Sequence, residues 1–215
     1  MRIIISLFFS LSIGFSQSGK LHVGFDIDDT VLLSEPMFLE APRDNQGAID
    51  YHWINEHDKD YSKLIKPTVA LINYFRANGH DVYFITARPG FNGHHLAEFL
   101  SQKLKMNIKV DINLFFSPKE RENGFSYTTK HKTMKNLGLD IYYGDSDRDI
   151  IAAIKADVYP IRVVRNKESI KHYSSNYFGN TRGKQSQKNP FNRSDLTRFY
   201  KKSVGLFGES IYPIY

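Results

Sequence analysis

Short apolar runs alternate along the chain with segments in which apolar residues recur at helical spacing. The apolar runs predict five buried strands, at residues 23–25, 81–85, 109–116, 141–143 and 160–164. Segments of helical period follow most of them, at residues 67–77, 92–105, 129–137 and 150–156. Strands that alternate with helices predict an α/β fold, here a three-layer Rossmann-like parallel sheet with helices on both faces.

Residues 35–66 interrupt this alternation. The segment is rich in aromatic and polar residues and contains Pro36, Pro42 and Gly47. No strong period runs through it, although residues 49–57 could be helical. We interpret the segment as a small cap insertion that covers the end of the first strand.

Polar residues cluster where three of the predicted strands end. Residues 26–30, which include three aspartates, follow the first strand, and residues 86–88 (Thr-Ala-Arg) follow the second. Residues 145–149, again with three aspartates, follow the fourth strand. Because ligands bind beyond the carboxyl ends of parallel strands, we expect the three clusters to converge on one site.

The carboxylates in these clusters need compensation, because like charges repel each other and lose hydration when they are buried. A divalent cation would supply it. The chain has no cysteine, and none of its histidines has the spacing of a zinc site. Carboxylate oxygens suit Mg²⁺, which is therefore the predicted cofactor.

Other ligand-binding motifs fail on their spacing. A calcium loop that starts at Asp26 would need Gly in place of Val31 and Glu in place of Met37, and a loop from Asp145 fails in the same way. Residues 179–184 resemble a phosphate-binding loop, but the spacing is one residue short and Gln185 replaces the required Ser or Thr. What remains is carboxylate chemistry, in which a carboxylate can attack phosphorus and form an aspartyl-phosphate.

The composition fits one folded domain behind a short leader. The chain has 215 residues, 41% of them hydrophobic and 14% aromatic, which suffices for a core. Met1 and Arg2 precede an apolar run at residues 3–15, which is shorter than the roughly 20 residues of a membrane anchor. We therefore predict a signal peptide at residues 1–18, a domain at residues 19–215, and a periplasmic or secreted protein.

The formal net charge of +6 belongs mainly to one segment. Residues 166–202 carry nine Lys or Arg side chains and two acidic ones, with aromatic residues between them. The segment could bind nucleic acid or an anionic surface. The simpler alternative is a solvated basic insertion, which we place at residues 180–203.

Four motifs in order resemble those of the haloacid dehalogenase superfamily of phosphotransferases. They are F-D-I-D-D-T-V, the Thr of F-I-T-A-R, the Lys of T-T-K, and G-D-S-D-R-D. In context they look like the motifs of the secreted class B acid phosphatases of bacteria, over about residues 21–165. The resemblance implies a Mg²⁺-dependent phosphomonoester hydrolase that acts on nucleoside monophosphates and aryl phosphates through an aspartyl-phosphate.

The resemblance also implies roles for the aspartates. Asp26 would be the nucleophile, and Asp28 the general acid, with nearby like charge keeping it protonated. Asp26, the backbone carbonyl of Asp28 and Asp145 would hold Mg²⁺, and Asp149 would be a further ligand or would orient the site. Asp29 would support the turn.

The phosphate would be held, by the same resemblance, by Thr86, the backbone amide of Ala87 and Lys130. Arg88 would either act near the phosphate or fix its loop. Ala87 stands where the family usually has Gly, a mild departure because the amide is retained. The segment at residues 180–203 is longer and more basic than the family pattern.

Trp53 and Tyr61 of the cap are candidates to surround the leaving group, although core packing is the commoner role of such residues. The resemblance further implies a homotetramer that acts on small-molecule phosphate monoesters. Two alternatives stay open within the superfamily, a phosphotransferase and a narrower nucleotidase, because transfer and hydrolysis share one intermediate. A third alternative is a binding protein that acts through the basic segment.

Overall fold

The computed structural model describes residues 19–117, 119–122, 125–163 and 210–211, and these form ten strands and six helices. In chain order the elements are β1 (His22–Phe25), β2 (Leu32–Leu33), α1 (Glu35–Glu40), α2 (Tyr51–Tyr61), β3 (Lys63–Leu64), α3 (Lys66–Ala77), β4 (Asp81–Thr86), α4 (Gly93–Leu104), β5 (Leu114–Phe116), β6 (Lys119–Glu122), β7 (Phe125–Thr128), α5 (Lys130–Asn136), β8 (Ile141–Gly144), α6 (Asp147–Ala156), β9 (Tyr159–Val163) and β10 (Ser210–Ile211).

Six of these strands form one sheet in the order β10-β9-β8-β1-β4-β5, and every neighbouring pair is parallel. Side chains alternate between its two faces. Phe25 and Phe84 pack on one face with Leu100 of α4, whereas Ile85 and Tyr142 pack on the other with residues of α5 and α6. The predicted fold class, a parallel sheet between two helix layers, is confirmed.

Gly24 leaves room for Tyr142 to lie across β1. A Cβ atom on Gly24 would lie 2.5 Å from Leu139 Cδ1 and 2.7 Å from Tyr142 Cδ2, closer than carbon atoms pack. Tyr142 is fully buried, and its hydroxyl donates to the backbone oxygen of Ile85 at 3.0 Å. A glycine in this central strand therefore lets β8 and β4 bond to each other across β1.

The segment interpreted as a cap folds into two helices, α1 and α2. The N-cap residue of α2 is Asp50, whose carboxylate accepts from the backbone N–H of His52 at 2.9 Å and of Trp53 at 3.2 Å. Buried Met37 and Ile54 form a small core between the two helices. The short antiparallel pair of β2 and β3 joins the two ends of this segment to each other.

The clearest differences from the sequence-based predictions are a shortened strand, a lengthened helix and an added hairpin. Only the last three residues of the 109–116 run form a strand, because Asp111 takes φ 60° and the Leu114 N–H bonds to the Lys109 oxygen in a turn. Helix α6 begins at Asp147, three residues earlier than predicted, because Ser146 caps it. The β6–β7 hairpin was not predicted, and its strands are rich in charged and polar residues.

The predicted signal peptide at residues 1–18 and the basic insertion at residues 180–203 lie outside the described residues. Across the part of the chain that is described, no helix has the length and hydrophobicity needed to cross a membrane.

Candidate active site

Three adjacent strands, β8, β1 and β4, end at the same edge of the sheet. Phe25, the last residue of β1, is level with Tyr143 on one side and Phe84 on the other. Asp26 comes next, and its backbone N–H donates to the Tyr143 oxygen at 2.8 Å. Asp26 therefore lies at the centre of the edge, between Thr86 at the end of β4 and Asp145 just after β8.

A buried cluster of carboxylates lies at this edge. Asp26, Asp145 and Asp149 each offer an oxygen atom within 4.8 Å of the others, and the three residues are 6%, 2% and 2% exposed. The Lys130 ammonium donates to Asp26 Oδ1 at 2.5 Å and to Asp149 Oδ1 at 2.7 Å. One ammonium thus joins two of the three carboxylates, which come from parts of the chain that the sequence predicted to meet.

The burial and crowding of these carboxylates change their pKa values. Burial and the charge of Asp149 raise the pKa of Asp26 well above its usual range. Burial also acts to raise the pKa of Asp149, but the Lys130 ammonium and the bonds from Ser146 outweigh it and lower that pKa. Burial acts to lower the pKa of Lys130, but the charges of Asp149 and Asp26 outweigh burial and raise this pKa well above its usual value.

These residues fit a hard divalent cation. Carboxylate oxygens that converge within one coordination sphere are the ligands Mg²⁺ prefers, and a double positive charge would relieve the repulsion that raises the pKa of Asp26. Among the described residues this is the one group of His, Asp and Glu side chains close enough to share an ion. The arrangement supports a site for a divalent metal. The choice of Mg²⁺ rests on the preference of this ion for oxygen ligands.

Asp149 is held in place by the first turn of α6. Ser146 and Asp149 form a capping box, in which Asp149 Oδ2 accepts from the Ser146 hydroxyl at 2.6 Å and from its backbone N–H at 3.2 Å. Gly144 permits this approach, because a Cβ there would lie 2.4 Å from the Asp149 Cβ. One Asp149 oxygen therefore holds the turn while the other holds Lys130.

Asp28 lies in a different environment from Asp26. Its carboxylate accepts from the Ser34 hydroxyl at 2.6 Å and from Arg88 Nε and Nη2 at 3.0 and 2.6 Å, and its side chain is 26% exposed. Burial acts to raise the pKa of Asp28, but Arg88 and Ser34 outweigh it and hold the pKa below its usual value. The prediction that like charge keeps Asp28 protonated is wrong, because its nearest charged partner is a cation.

The loop after β4 carries the predicted phosphate-binding residues. Thr86 is fully buried, and its hydroxyl oxygen accepts from the backbone N–H of Arg88 at 3.1 Å. Ala87 follows it at the same edge as Asp26. The Arg88 guanidinium is turned towards the cap, where it bonds to Asp58 Oδ2 at 2.5 Å and Oδ1 at 3.1 Å. Of the two roles predicted for Arg88, these contacts favour the fixing of a loop.

The other predicted residues lie around the site. Asp29 takes φ 57°, and its backbone N–H donates to the Leu32 oxygen at 2.7 Å, so it shapes the turn after Asp28. Trp53 stacks on His57 with ring centroids 4.1 Å apart, and the centroid of the Tyr61 ring lies 5.5 Å from that of Trp53. Both aromatic residues pack on the core of the cap, and their role near a leaving group stays a prediction.

Four residues that bond to the site residues or to Arg88 were not found from the sequence: Ser34, Ser146, Asp58 and Asn55, whose Oδ1 accepts from Arg88 Nη1 at 3.4 Å. Ser146 could have been recognised as a helix cap, because Ser followed three residues later by an acid is a start signal. Asn55 and Asp58 are three residues apart and so share one face of α2. Nothing local connects that face to Arg88, which is 30 residues from Asp58.

Comparison with known proteins agrees with this geometry. The family model of the haloacid dehalogenase superfamily, subfamily IIIB (acid phosphatase), matches residues 5–179. The class B acid phosphatases of Morganella morganii and Haemophilus parainfluenzae are 33% and 34% identical to this chain over 160 residues. Each alignment covers 69% of this chain and 65% of the relative, so the match spans just under two thirds of these relatives.

A solved structure of a haloacid dehalogenase-like hydrolase from Streptococcus pneumoniae is also similar to the chain. It is 12% identical, with a TM-score of 0.41 over 74% of this chain and 92% of that one. A likeness this weak carries no weight here, and the fold rests on the strand order described above.

Proposed function

Because this chain belongs to the acid phosphatases of haloacid dehalogenase subfamily IIIB, we propose that it hydrolyses phosphate monoesters through an aspartyl-phosphate on Asp26. One observation carries the proposal. Asp26 lies at the centre of three strand ends, within 4.8 Å of two further buried carboxylates and bonded to a buried ammonium. A carboxylate that attacks phosphorus needs a positive group such as this ammonium nearby, since the transferred phosphoryl group is anionic.

The metal in this proposal is Mg²⁺, which the carboxylates of Asp26 and Asp145 and the backbone carbonyl of Asp28 would hold, with Asp149 as a further ligand or an orienting partner. When bound, it would supply positive charge against the oxygens of the phosphoryl group. Lys130 supplies the protein's own positive charge at the same place. The Thr86 hydroxyl and the Ala87 amide would bind the remaining phosphate oxygens.

The first step transfers the phosphoryl group to the enzyme. An oxygen of Asp26 forms a bond to phosphorus while the bond from phosphorus to the ester oxygen breaks. The leaving alcohol takes a proton from the Asp28 carboxyl group. Arg88 lowers the pKa of Asp28, so only acidic solution supplies this protonated form, and we expect activity to fall as pH rises.

The second step returns the enzyme to its starting state. The Asp28 carboxylate takes a proton from water, and the water oxygen attacks the phosphorus of the aspartyl-phosphate. The bond from phosphorus to Asp26 breaks, and phosphate leaves. Asp28 is more exposed than the three clustered aspartates, with 26% of its side chain accessible. This exposure suits a group that must reach both the leaving alcohol and water.

The decisive experiment compares the parent with Asp26→Asn in the release of phosphate from p-nitrophenyl phosphate, with Mg²⁺ and with a chelator. We expect the substitution to lower kcat by at least about 10³-fold, because the nucleophile is lost. The chelator should abolish most of the parent's activity. Full activity of Asp26→Asn would overturn the mechanism, and full activity in chelator would overturn the metal requirement.

Transfer to an alcohol, or a narrow preference for nucleotides, would use the same intermediate. Adding glycerol to a phenyl phosphate assay separates transfer from hydrolysis, since transfer releases more phenol than free phosphate. Comparing kcat/KM for nucleoside monophosphates with kcat/KM for aryl phosphates tests for a narrow preference for nucleotides.

Export, assembly and the basic segment complete the proposal. The leader at residues 1–18 would direct export, and the mature chain would then begin after Ser16 or Ser18, which N-terminal sequencing of exported protein checks. Light scattering would test the homotetramer. Deleting residues 181–202 and comparing retention on heparin would test a nucleic-acid or anionic-surface function, and unchanged retention would exclude it.

A further inference from the structure

The Arg88 side chain uses its whole hydrogen-bonding capacity inside the protein. Its five N–H groups donate to Asp28 through Nε and Nη2, to Asp58 through Nη1 and Nη2, and to Asn55 Oδ1 through Nη1 at 3.4 Å. The side chain is 1% exposed, and the Phe38 ring lies 5.7 Å from its Cζ. The guanidinium is a planar fork between two carboxylates, with a bidentate contact to each.

Asp58 holds the end of this fork that lies away from the carboxylate cluster. It belongs to α2 of the cap and is 1% exposed, and its Oδ1 also accepts from the Ser62 hydroxyl at 2.7 Å. Asn55, one turn earlier, donates to the backbone oxygens of Pro89 at 3.0 Å and Phe91 at 2.6 Å. One face of α2 therefore fixes both the Arg88 side chain and the loop that follows it.

We infer that Asp58 is a positioning residue, which acts through Arg88 to hold the Asp28 carboxyl group in one orientation. The inference rests on the proposed function, in which Asp28 passes a proton to the leaving alcohol. A rigid plane bonded on both sides transmits orientation from one carboxylate to the other. Without the contacts to Asp58, two donors of Arg88 would be left unpaired in a buried place, and the guanidinium would turn to find other acceptors.

The consequence for the reaction is specific to one step. Proton donation matters most when the leaving group is a strong base, such as an alkoxide, and least when it is p-nitrophenolate. Misplacing Asp28 should therefore penalise alkyl phosphates more than p-nitrophenyl phosphate. A purely structural loss, which lowers the amount of folded enzyme, would reduce both activities by the same factor.

The experiment measures kcat/KM for glycerol 2-phosphate and for p-nitrophenyl phosphate in the full-length protein. Asp58→Asn keeps the shape and removes the charge, whereas Asp58→Glu keeps the charge and moves the carboxylate by one methylene. We expect kcat/KM for glycerol 2-phosphate to fall by about 10- to 100-fold in each, and that for p-nitrophenyl phosphate by less than about 3-fold. Asp60→Asn, an exposed site on the same helix, is the matched control and should leave both values unchanged.

The outcomes separate this inference from the proposed function. If the parent releases phosphate from neither ester, the proposed function fails. If the parent is active and both Asp58 variants lose the two activities equally, or lose neither, the positioning role fails alone. Asp58→Glu retains the charge that balances Arg88, so it keeps the test open should Asp58→Asn not fold.

Discussion

At the residue scale, Lys130 determines the charge balance of the site. Its side chain is 2% exposed, and its ammonium contacts two of the three clustered carboxylates, Asp26 and Asp149. Its methylene chain starts from the first turn of α5, where the Lys130 backbone N–H donates to the Thr128 hydroxyl oxygen at 3.0 Å. A buried cation with two buried anionic partners cannot be removed without leaving uncompensated charge.

Lys130→Met should therefore lower both activity and stability. We expect kcat/KM to fall by at least about 10²-fold, because a positive group facing the phosphoryl oxygens is lost. The free energy of unfolding, measured in urea, should fall by about 3–5 kcal/mol, because two buried carboxylates lose their partner.

Lys132→Met on the same helix is the control for Lys130→Met. Lys132 is 57% exposed, and its ion pair with Glu120 lies at the surface. Its loss should change the free energy of unfolding by less than about 1 kcal/mol and leave kcat/KM unchanged. Equal effects of the two substitutions would contradict the role given to Lys130.

At the scale of elements, the N-terminus of α6 joins helix capping to ligand placement. The same carboxylate, Asp149, completes the capping box with Ser146 and contributes an oxygen to the buried cluster. Gly144 at the end of β8 leaves the space for it. The helix start and the proposed metal site therefore share the Asp149 carboxylate, so loss of the cap should weaken metal binding.

Ser146→Ala tests this coupling. Loss of the cap should lower the free energy of unfolding by about 1 kcal/mol. Loss of the bond to Asp149 Oδ2 should weaken Mg²⁺ binding by about 10-fold, because partners of a ligand fix its orientation. Titration calorimetry with Mg²⁺ measures the affinity.

Asp50→Ala provides the comparison for Ser146→Ala. Asp50 caps α2 through two backbone N–H groups, and it is not one of the clustered carboxylates. Asp50→Ala should lower the free energy of unfolding by an amount similar to that for Ser146→Ala and leave the Mg²⁺ affinity unchanged. A loss of Mg²⁺ affinity in Asp50→Ala as large as that in Ser146→Ala would show that general destabilisation is the cause.

At the scale of the whole molecule, the carboxylate cluster links folding to pH and to metal. The pKa of Asp26 is raised in the folded state by burial and by Asp149, so folding favours its protonated form. As pH rises from about 4, the ordinary pKa of an aspartate, the stability that Asp26 contributes to the metal-free protein should be lost until Asp26 has ionised. A bound divalent cation would favour the ionised form and reverse this loss.

We therefore expect Mg²⁺ to raise the Tm by a larger amount at pH 7 than at pH 4. An excess of 100 times the Kd corresponds to about 2.7 kcal/mol of stabilisation. Thermal unfolding at several pH values, with Mg²⁺ and with chelator, measures the difference. A Tm increase that is the same at every pH would contradict the linkage.

Asp145→Asn should reduce the effect of Mg²⁺ on stability. Because this variant has lost one carboxylate of the cluster, we expect Mg²⁺ to raise its Tm by less than the Tm of the parent at the same concentration. A Tm increase as large as that of the parent would argue against a metal at this cluster.

The fold was largely predictable, because its signals are local. Buried parallel strands are short apolar runs, and their helices carry apolar residues at a period near 3.6, so β1, β4 and β8 and the helices α3, α4 and α5 were found. The β6–β7 hairpin was missed because its first strand reads Lys-Glu-Arg-Glu, which has no apolar alternation. The cap helices were only partly predicted, since their buried face meets a small local core.

The sequence by itself determined the fold class and the carboxylate, threonine and lysine positions that converge, because parallel strands all end at one edge of their sheet. Only the tertiary structure decided how those groups pair. Lys130 bonds to Asp26 across 104 residues, and Arg88 joins Asp28 to Asp58 across separations of 60 and 30 residues. The Lys130 contact depends on the packing of α5 beside the sheet and the Asp58 contact on the packing of the cap, and neither leaves a periodic or local pattern in the chain. Because the contact between Arg88 and Asp28 was not predicted, the pKa of Asp28 was expected to be raised, whereas it is lowered.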